Sequence, residues 1–147
     1  MEQSLPEPPD WLLEAALALF DRGMGDGWDD QTGGIVYTVD HDGTPKVTDR
    51  LHWVVAEGIG AAATLATRTG EARFEREYRR LWDWAAAHLV DRVDGGWHHE
   101  VDEQGRPATR TWDGKPDTYH ALQATLVPRL PAAPSFATAL AGGRLDH

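Results

Sequence analysis

A repeated pattern of glycine, valine, aspartate and proline constrains the fold of this chain more than any other feature of its sequence. Six positions recur, each offset by 62 residues: Gly33, Gly34, Val39, Asp40, Gly43 and Pro45, and then Gly95, Gly96, Val101, Asp102, Gly105 and Pro107. Each copy lies between two segments of helical periodicity, so one unit is a helix, a β-hairpin and a returning helix. Such units bury their apolar faces by stacking side by side. The repeat therefore predicts antiparallel helix pairs in a ring, with hairpins at the mouth of a central pocket.

The predicted elements follow from periodicity and from turn residues. We expect helices over residues 10–22, 51–68, 71–91, 115–126 and 135–141. We expect strands over residues 33–40, 46–50, 95–102 and 108–112. The first helix is expected to end at Gly23 and Gly25. These elements form one domain over residues 10–141, with a loose lead-in over 1–9 and a frayed tail over 142–147.

Composition argues against several classes of function. The chain has 147 residues, enough for one domain, and a formal net charge of −10. Nucleic acids and anionic membranes are not expected as partners, because both require clustered lysine and arginine. There is no cysteine, so the chain forms neither disulfides nor thiolate metal sites. No apolar run approaches the ~20 residues of a membrane span and no signal peptide is recognisable, so a cytoplasmic location is expected.

The segment 108–123 delivers a histidine, His120, into the first turns of a predicted helix. Lys115-Pro116-Asp117 is typical of a helix start, since proline suits the first turn and an acid there complements the helix dipole. A histidine in this position is well placed for proton transfer. The same pattern is also found for histidines that only pack against a core or lie on the surface.

Trp53 and Glu57 lie four residues apart on the second predicted helix and therefore share one of its faces. Small residues beside them leave room for a ligand. One interpretation is a carboxylate and an indole that point into a sugar pocket, and the other is a surface glutamate above a core tryptophan. The neighbouring His52 is rotated by about 100° around the helix, so we expect it to have a supporting or packing role.

His98, His99 and Glu100 lie on one predicted strand, where alternation places His99 on the face opposite to the other two. A metal site would have to combine these histidines with His52 or His120. Adjacent histidines on opposite faces do not chelate together, and no spacing in the chain matches a metal motif such as H-E-x-x-H. No metal site is therefore predicted.

Three longer motifs carry a resemblance to a known family. They are Arg50-Leu-His-Trp-Val-Val-Ala-Glu-Gly-Ile-Gly60, Gly95-Gly-Trp-His-His-Glu-Val-Asp102 and Trp112-Asp-Gly-Lys-Pro-Asp-Thr-Tyr-His-Ala-Leu-Gln-Ala124. In this order they resemble the C-terminal part of the N-acylglucosamine 2-epimerase family, in its mannose isomerase and sulfoquinovose isomerase branch. The resemblance runs from about Pro9 to about Leu140. It implies an all-α fold, a partial (α/α)6 toroid with roughly two to three of the six helix pairs and with β-hairpins at the pocket mouth.

The resemblance also implies a function and the residues that carry it. Members of this branch interconvert an aldose and a ketose by moving a proton between C1 and C2 of an open-chain sugar through an enediol. This step suits imidazole and needs no cofactor or metal. By resemblance His120 is one of two catalytic histidines, and Trp53 and Glu57 line the substrate pocket. The family's strand at the second hairpin offers a polar side chain to the sugar, which we assign to His99. The expected ligand is a monosaccharide.

The chain departs from the family pattern at one point. The family's other catalytic histidine lies in a Gly-His-x-x-Glu motif on an earlier helix, and this motif is absent here. We therefore expect the C-terminal portion of a sugar isomerase, with little or no activity alone and with a second chain as one source of the missing helices. Two alternatives stay open: a fragment of an N-acylglucosamine or other sugar 2-epimerase, and a non-catalytic remnant that binds sugar or serves as an interaction domain.

Overall fold

The computed structural model describes residues 5–131 and 135–143. Parts of the predicted lead-in and tail, at residues 1–4 and 144–147, lie outside the described residues. The elements in chain order are α1 (Trp11–Gly27), β1 (Thr38–Val39), β2 (Pro45–Val47), β3 (Arg50–Leu51), α2 (His52–Thr69), α3 (Ala72–His88), β4 (Glu100–Val101), β5 (Pro107–Ala108), α4 (Tyr119–Leu126), a 3-10 turn (Val127–Arg129) and α5 (Phe136–Ala141). Within the described ranges no helix combines the length and the apolar character needed to cross a membrane.

Helix α2 lies at the centre of the packing and contacts α1, α3 and α4. It forms a hairpin with α3 across Gly70, whose φ of 70° ends α2 while its amide donates to the Ala66 carbonyl oxygen. Phe20 of α1, Phe74 of α3 and Ala124 of α4 all belong to the core built around α2. Burial of this shared apolar face holds the four helices together.

The repeat in the sequence is also a repeat of backbone geometry. The amide of Asp29 donates to the carbonyl oxygen of Gly34 at 3.0 Å. In the second unit the amide of Asp91 donates to the carbonyl oxygen of Gly96, also at 3.0 Å. The two glycines have φ angles of 80° and 70°, a left-handed conformation that explains why glycine recurs at this position. Helices α1 and α3 each have 17 residues, and each is followed by a hairpin and a returning helix. The predicted order of helix, hairpin and helix is confirmed.

The two hairpins differ in how they pair. β1 pairs with β2, whereas β4 pairs with β5 and also with β3. In the antiparallel β3–β4 pair Arg50 lies opposite Val101. The ladder extends one residue further, because the amide of His52 donates to the carbonyl oxygen of His99 at 3.0 Å. This sheet joins the two units and sets the first residue of α2 beside the second hairpin.

The first predicted helix ends later than expected, and the third ends earlier. Glycine weakens a helix by about 1 kcal/mol without breaking it, and α1 continues to Gly27. It ends where Trp28 forms an isolated β-bridge with Ile35. Helix α3 ends at His88 for the equivalent reason, since Val90 forms a bridge with residue 97 of the second hairpin. The predicted strands are also shorter in the structure, where each hairpin pairs only through the few residues that flank its turn and β3 adds a two-residue pairing to β4.

The fourth helix begins at Tyr119 and not at Lys115 as predicted. The segment before it is held outside the helix by its own side chains. The Asp117 carboxylate accepts the amide of Tyr119 at 2.8 Å, and the Lys115 ammonium pairs with Asp91. The 3-10 turn that follows α4 passes through Pro128, so proline ends the α-helical pattern there without ending the helical path.

Arg50 is a buried cation, only 1% exposed, that ties the first loop to β3. Its guanidinium donates to the Asp29 carboxylate at 2.5 Å and to the Thr32 hydroxyl at 2.6 Å. It also donates to the carbonyl oxygens of Gly33 and Thr48, at 3.2 and 2.6 Å. A charge is tolerated in the interior when it is paired and hydrogen-bonded in this way.

We expect Asp29→Ala to lower the free energy of unfolding by about 3 kcal/mol, because the buried Arg50 guanidinium would lose its carboxylate. This value is at the lower end for buried pairs, since the Asp29 side chain is 30% exposed. The exposed neighbour Asp30 provides a matched control, and Asp30→Ala should change stability by no more than about 0.5 kcal/mol. Urea unfolding followed by tryptophan fluorescence measures both variants. Equal losses in the two would contradict the role given to Asp29.

Candidate functional site

Side chains from both repeat units converge beside the N-terminal end of α2. Three of them, His52, His99 and His120, form what we call the histidine cluster. The ring centroid of His52 lies 5.2 Å from that of His99 and 5.9 Å from that of His120, edge to face in both cases. The Trp53 ring lies 6.0 Å from His120, and the Trp112 ring stacks on His99 at 5.4 Å. The cluster is therefore flanked by two indoles.

His120 lies in the first turn of α4 and faces a carboxylate on α2. Its Nδ1 is 2.9 Å from Oε1 of Glu57. The His120 side chain is 26% exposed and that of Glu57 is 48% exposed, so the pair is accessible from outside. A carboxylate at Nδ1 favours the tautomer that carries its proton there, which leaves Nε2 with a lone pair. The arrangement suits a group that accepts and returns a proton.

Trp53 is half-buried and contacts two aromatic neighbours. Its ring centroid is 5.9 Å from that of Tyr37, which meets it edge to face, and 6.0 Å from that of His120. Glu57 is one helical turn further along α2. The structure therefore brings together Trp53, Glu57 and His120, which sequence reasoning had selected from two separate motifs.

His99 immediately precedes β4, and its ring contacts that of His52. His98 lies elsewhere, with Nδ1 4.0 Å from the Asp91 carboxylate, and Glu100 is fully buried. The His99 Nδ1 atom is buried and lacks a hydrogen-bond partner among residues 5–131 and 135–143. Most buried polar atoms in folded proteins have a hydrogen-bond partner, so this nitrogen is unusual.

Glu100 has a role that sequence reasoning missed. Its carboxylate accepts the backbone amides of Arg110 and Thr111, the latter at 2.9 Å. These bonds fix the segment that leads to Trp112 and so set its indole against His99. An acid at an inward position of an alternating strand was the available signal, since a buried carboxylate requires hydrogen-bond donors.

Lys115 anchors the segment that precedes α4. Its ammonium pairs with the Asp91 carboxylate, which also accepts the amides of Val93 and Asp94 at 2.8 and 3.1 Å. The pKa of Asp91 is held well below its ordinary value, mainly by the Lys115 ammonium and then by these two amides. Asp91 is the counterpart of Asp29 in the repeat, so the same loop position binds a cation in both units.

In the part of the chain that the structure describes, no group of three or more histidine, aspartate or glutamate side chains is arranged to hold a metal ion. Nδ1 of His52 lies 3.2 Å from the carbonyl oxygen of His99, and Nδ1 of His120 faces Glu57. Both nitrogens are thus engaged by oxygen atoms of the protein. The groups assembled here are suited to proton transfer.

Residues 2–124 match the family model described as N-acylglucosamine 2-epimerase (GlcNAc 2-epimerase). The chain belongs to the N-acylglucosamine 2-epimerase family. The matched range includes the histidine cluster, both flanking indoles and Glu57. The resemblance seen in the sequence motifs is confirmed.

Relatives in this family include two D-mannose isomerases. The chain is 55% identical over 143 residues to that of Thermobifida fusca and 49% identical over 135 residues to that of Pseudomonas cannabina pv. alisalensis. The matches cover 96% and 91% of this chain. They cover 35% and 33% of the relatives, so the chain spans about a third of their length.

Solved structures show the same partial coverage. A crystal structure of D-mannose isomerase matches with a TM-score of 0.77 and 29% identity, over 83% of this chain and 32% of the other. The cellobiose 2-epimerase from Spirochaeta thermophila DSM 6192 matches with a TM-score of 0.71 and 22% identity, over 82% of this chain and 33% of the other. The predicted fold class, a mainly helical chain that forms part of an (α/α)6 toroid, is confirmed.

We expect Lys115→Met to loosen the segment before α4, because the Asp91 carboxylate would lose its cation. Amides from residue 110 to residue 122 should then exchange with solvent faster than in the parent chain, as measured by hydrogen–deuterium exchange. Lys46→Met is the matched control, since Lys46 pairs with Asp40 at an exposed position in the first hairpin. Unchanged exchange in Lys115→Met would show that the ion pair does not hold the segment.

The lowered pKa of Asp91 predicts a defined pH dependence. A carboxyl group whose folded-state pKa lies below its unfolded value stabilises the fold above the unfolded value of about 3.9, and this contribution is lost as the pH falls towards the folded value. Asp91→Asn should therefore unfold less steeply in acid than the parent chain. Asp94→Asn, at the exposed neighbouring aspartate, should keep the parent slope. Acid titration followed by circular dichroism compares the three proteins.

Proposed function

We propose that residues 10–141 are the C-terminal part of a sugar isomerase domain that interconverts an aldose and a ketose of the mannose and fructose type. The observation that carries this proposal is the contact between His120 and Glu57, at 2.9 Å, beside an indole and a second histidine. The identity of 55% and 49% to two D-mannose isomerases supports the choice of reaction.

In this proposal His120 carries the proton. With Nδ1–H donated to Glu57, Nε2 takes the proton from C2 of the open-chain aldose. The C–H electron pair becomes the C1=C2 double bond of an enediol, and the oxygen on C1 gains a proton from a second acid/base group, which is proposed to lie outside this chain. His120 then delivers its proton to C1, while the hydroxyl proton on the C2 oxygen passes to the second group, which gives the ketose. The Glu57 carboxylate stabilises the imidazolium that exists between the two transfers.

Three further residues are proposed to hold the sugar. Trp53 and Trp112 offer aromatic surfaces against which the C–H groups of a sugar can pack, and Trp112 is 45% exposed. His99, whose ring contacts those of Trp112 and His52, is proposed to bind a sugar hydroxyl. The ligand is a monosaccharide in the open-chain form, since the reaction requires a free carbonyl group.

Two other functions have to be distinguished by experiment. A 2-epimerase would use the same first proton transfer and return the proton to the opposite face of C2. The likeness to cellobiose 2-epimerase concerns the fold, at 22% identity, so it does not favour this reaction. A non-catalytic remnant would bind a sugar without converting it. The higher identity to D-mannose isomerases favours the isomerase.

An apolar groove between α1, α2 and α4 supports the idea that other helices complete the site. Glu57 lies at this groove together with Leu19, Phe20, Leu65 and Val127, and Leu19 is 74% exposed. In stacked helical folds a terminal pair needs a cover for its apolar face. We propose that the helices of the remaining two thirds of the family's fold cover this groove, in the same polypeptide or from a second chain. They would also supply the second acid/base group.

A chimera tests the proposed function. The matched third of the Thermobifida fusca D-mannose isomerase is replaced by this chain, and the product is assayed for conversion of mannose in D2O. We expect fructose to form with deuterium on C1, and His120→Asn or Glu57→Gln to lower kcat by about 10²–10⁴-fold.

His41→Asn, at an exposed turn of the first hairpin, is the matched control for these variants and should retain full activity. An active chimera that tolerates His120→Asn would remove His120 from the mechanism. Formation of a C2 epimer in place of fructose would establish the epimerase alternative.

We also expect the 147-residue chain to have little or no activity by itself, because one acid/base group is proposed to lie outside it. Co-expression with the complementary two thirds of a relative should restore conversion of mannose. Full activity of the isolated chain would contradict both expectations. Sugar binding without conversion, in the isolated chain and in the co-expressed pair alike, would favour the remnant alternative.

A further inference from the structure

His52 is the most buried member of the histidine cluster, with 2% of its surface exposed. It occupies the first position of α2, directly after β3, and its ring lies edge-on to both His99 and His120. The other two rings come from different elements, the second hairpin and α4. The His52 ring therefore contacts the rings of both histidines for which a role at the sugar or the proton is proposed.

Two hydrogen bonds tie His52 to the backbone of His99. The His52 amide lies 3.0 Å from the His99 carbonyl oxygen, and the His52 Nδ1 atom lies 3.2 Å from the same oxygen. A carbonyl oxygen can only accept, so Nδ1 carries the proton and Nε2 carries the lone pair. Nε2 is buried and has no hydrogen-bond partner within the described part of the chain.

This environment disfavours the charged form of the His52 ring. Burial is the main cause that lowers the pKa of His52, and the neighbouring imidazoles of His99 and His120 add to the effect. The carbonyl oxygen of His99 and the carboxylate of Asp117, at the start of α4, act in the opposite direction. Glu57, the other nearby carboxylate, is directed at His120.

We propose that His52 is a positioning residue of the site, a permanently neutral imidazole that spaces the rings of His99 and His120 and leaves the catalytic proton to His120. The part of this inference that concerns the proton rests on the proposed function. The part that concerns ring position does not, and it is testable in the isolated chain.

Two substitutions separate the hydrogen bond from the bulk of the ring. In His52→Asn the side-chain amide takes the place of Nδ1–H and keeps the donor to the His99 carbonyl oxygen. In His52→Leu the donor is lost while apolar bulk is retained. If the donor positions His99, the Asn variant should preserve the ring environment and the Leu variant should not.

The first measurement is a long-range 1H–15N spectrum of the histidine rings in the full chain. We expect the His52 ring to show the neutral Nδ1–H tautomer near pH 6.5, the ordinary histidine value at which an unperturbed ring is about half charged. Ring signals of His99 and His120 should shift in His52→Leu and stay near their parent positions in His52→Asn.

A charged His52 or an Nε2–H tautomer in the parent chain near neutral pH would overturn the proposal. So would a folded His52→Leu variant with unchanged signals for His99 and His120. If the Leu variant does not fold, the tautomer in the parent chain and the signals of the Asn variant still decide the question.

Stability gives a second readout that also works in the isolated chain. Because the folded-state pKa of His52 is lowered, the neutral ring stabilises the fold above the unfolded value of about 6.5, and this contribution is lost as the pH falls below it. The loss of stability between pH 7 and about pH 5.5 should therefore be smaller in His52→Asn than in the parent chain. An identical pH dependence in the two proteins would contradict a neutral, buried His52.

In the chimera, His52→Leu should reduce kcat and alter its pH profile, and His52→Asn should restore most of the loss. If His52→Leu lowers stability but leaves the pH profile of kcat unchanged, the proposal that His52 leaves the catalytic proton to His120 fails. Failure of the chimera itself to convert mannose would count against the proposed function, while the ring spectra would still test the position of His52.

Discussion

The pairing of β3 with β4 is the interaction on which the arrangement of the site depends. These short strands come from different repeat units, and their ladder continues into the bond from the His52 amide to the His99 carbonyl oxygen. The start of α2 is thereby fixed against the second hairpin, and Trp53 and Glu57 follow on the same helix. A backbone hydrogen bond contributes only about 1 kcal/mol. Its larger effect here is on register, because a shift of one residue would turn His99 away from the cluster.

Charged side chains give the long polar segments a defined path. The aspartates Asp29 and Asp91 occupy the same position in the two repeats, yet they bind cations from different places. Arg50 of β3 pairs with the first, and Lys115 from the segment before α4 pairs with the second. In the first unit the pair fastens a loop to the sheet. In the second unit the pair holds the segment that precedes α4, the helix that carries His120. The same kind of ion pair therefore stabilises the fold in one unit and the candidate site in the other.

Much of this organisation could be predicted from local pattern. The offset of 62 residues identified the two units, and helical spacing placed Trp53 and Glu57 on one face. The end of α1 was predicted too early, because glycine only weakens a helix and the actual end is set by a β-bridge to a later residue. The hydrogen bonds of Glu100 and the ion pair of Lys115 were not predicted, for a similar reason. Their partners are backbone amides and a carboxylate that approach only when distant segments have folded together.

By itself, the sequence determined the helix, hairpin and helix units, the presence of a histidine near the start of α4, and the family motifs. These properties depend on periodicity, on turn residues and on neighbours a few positions apart, all of which are local. Only the tertiary structure decided that His120 meets Glu57 and that the His52 ring contacts those of both His99 and His120. Those contacts join residues from different repeat units. Their geometry follows from the β3–β4 register and from the packing of α4 on α2, neither of which local spacing can specify.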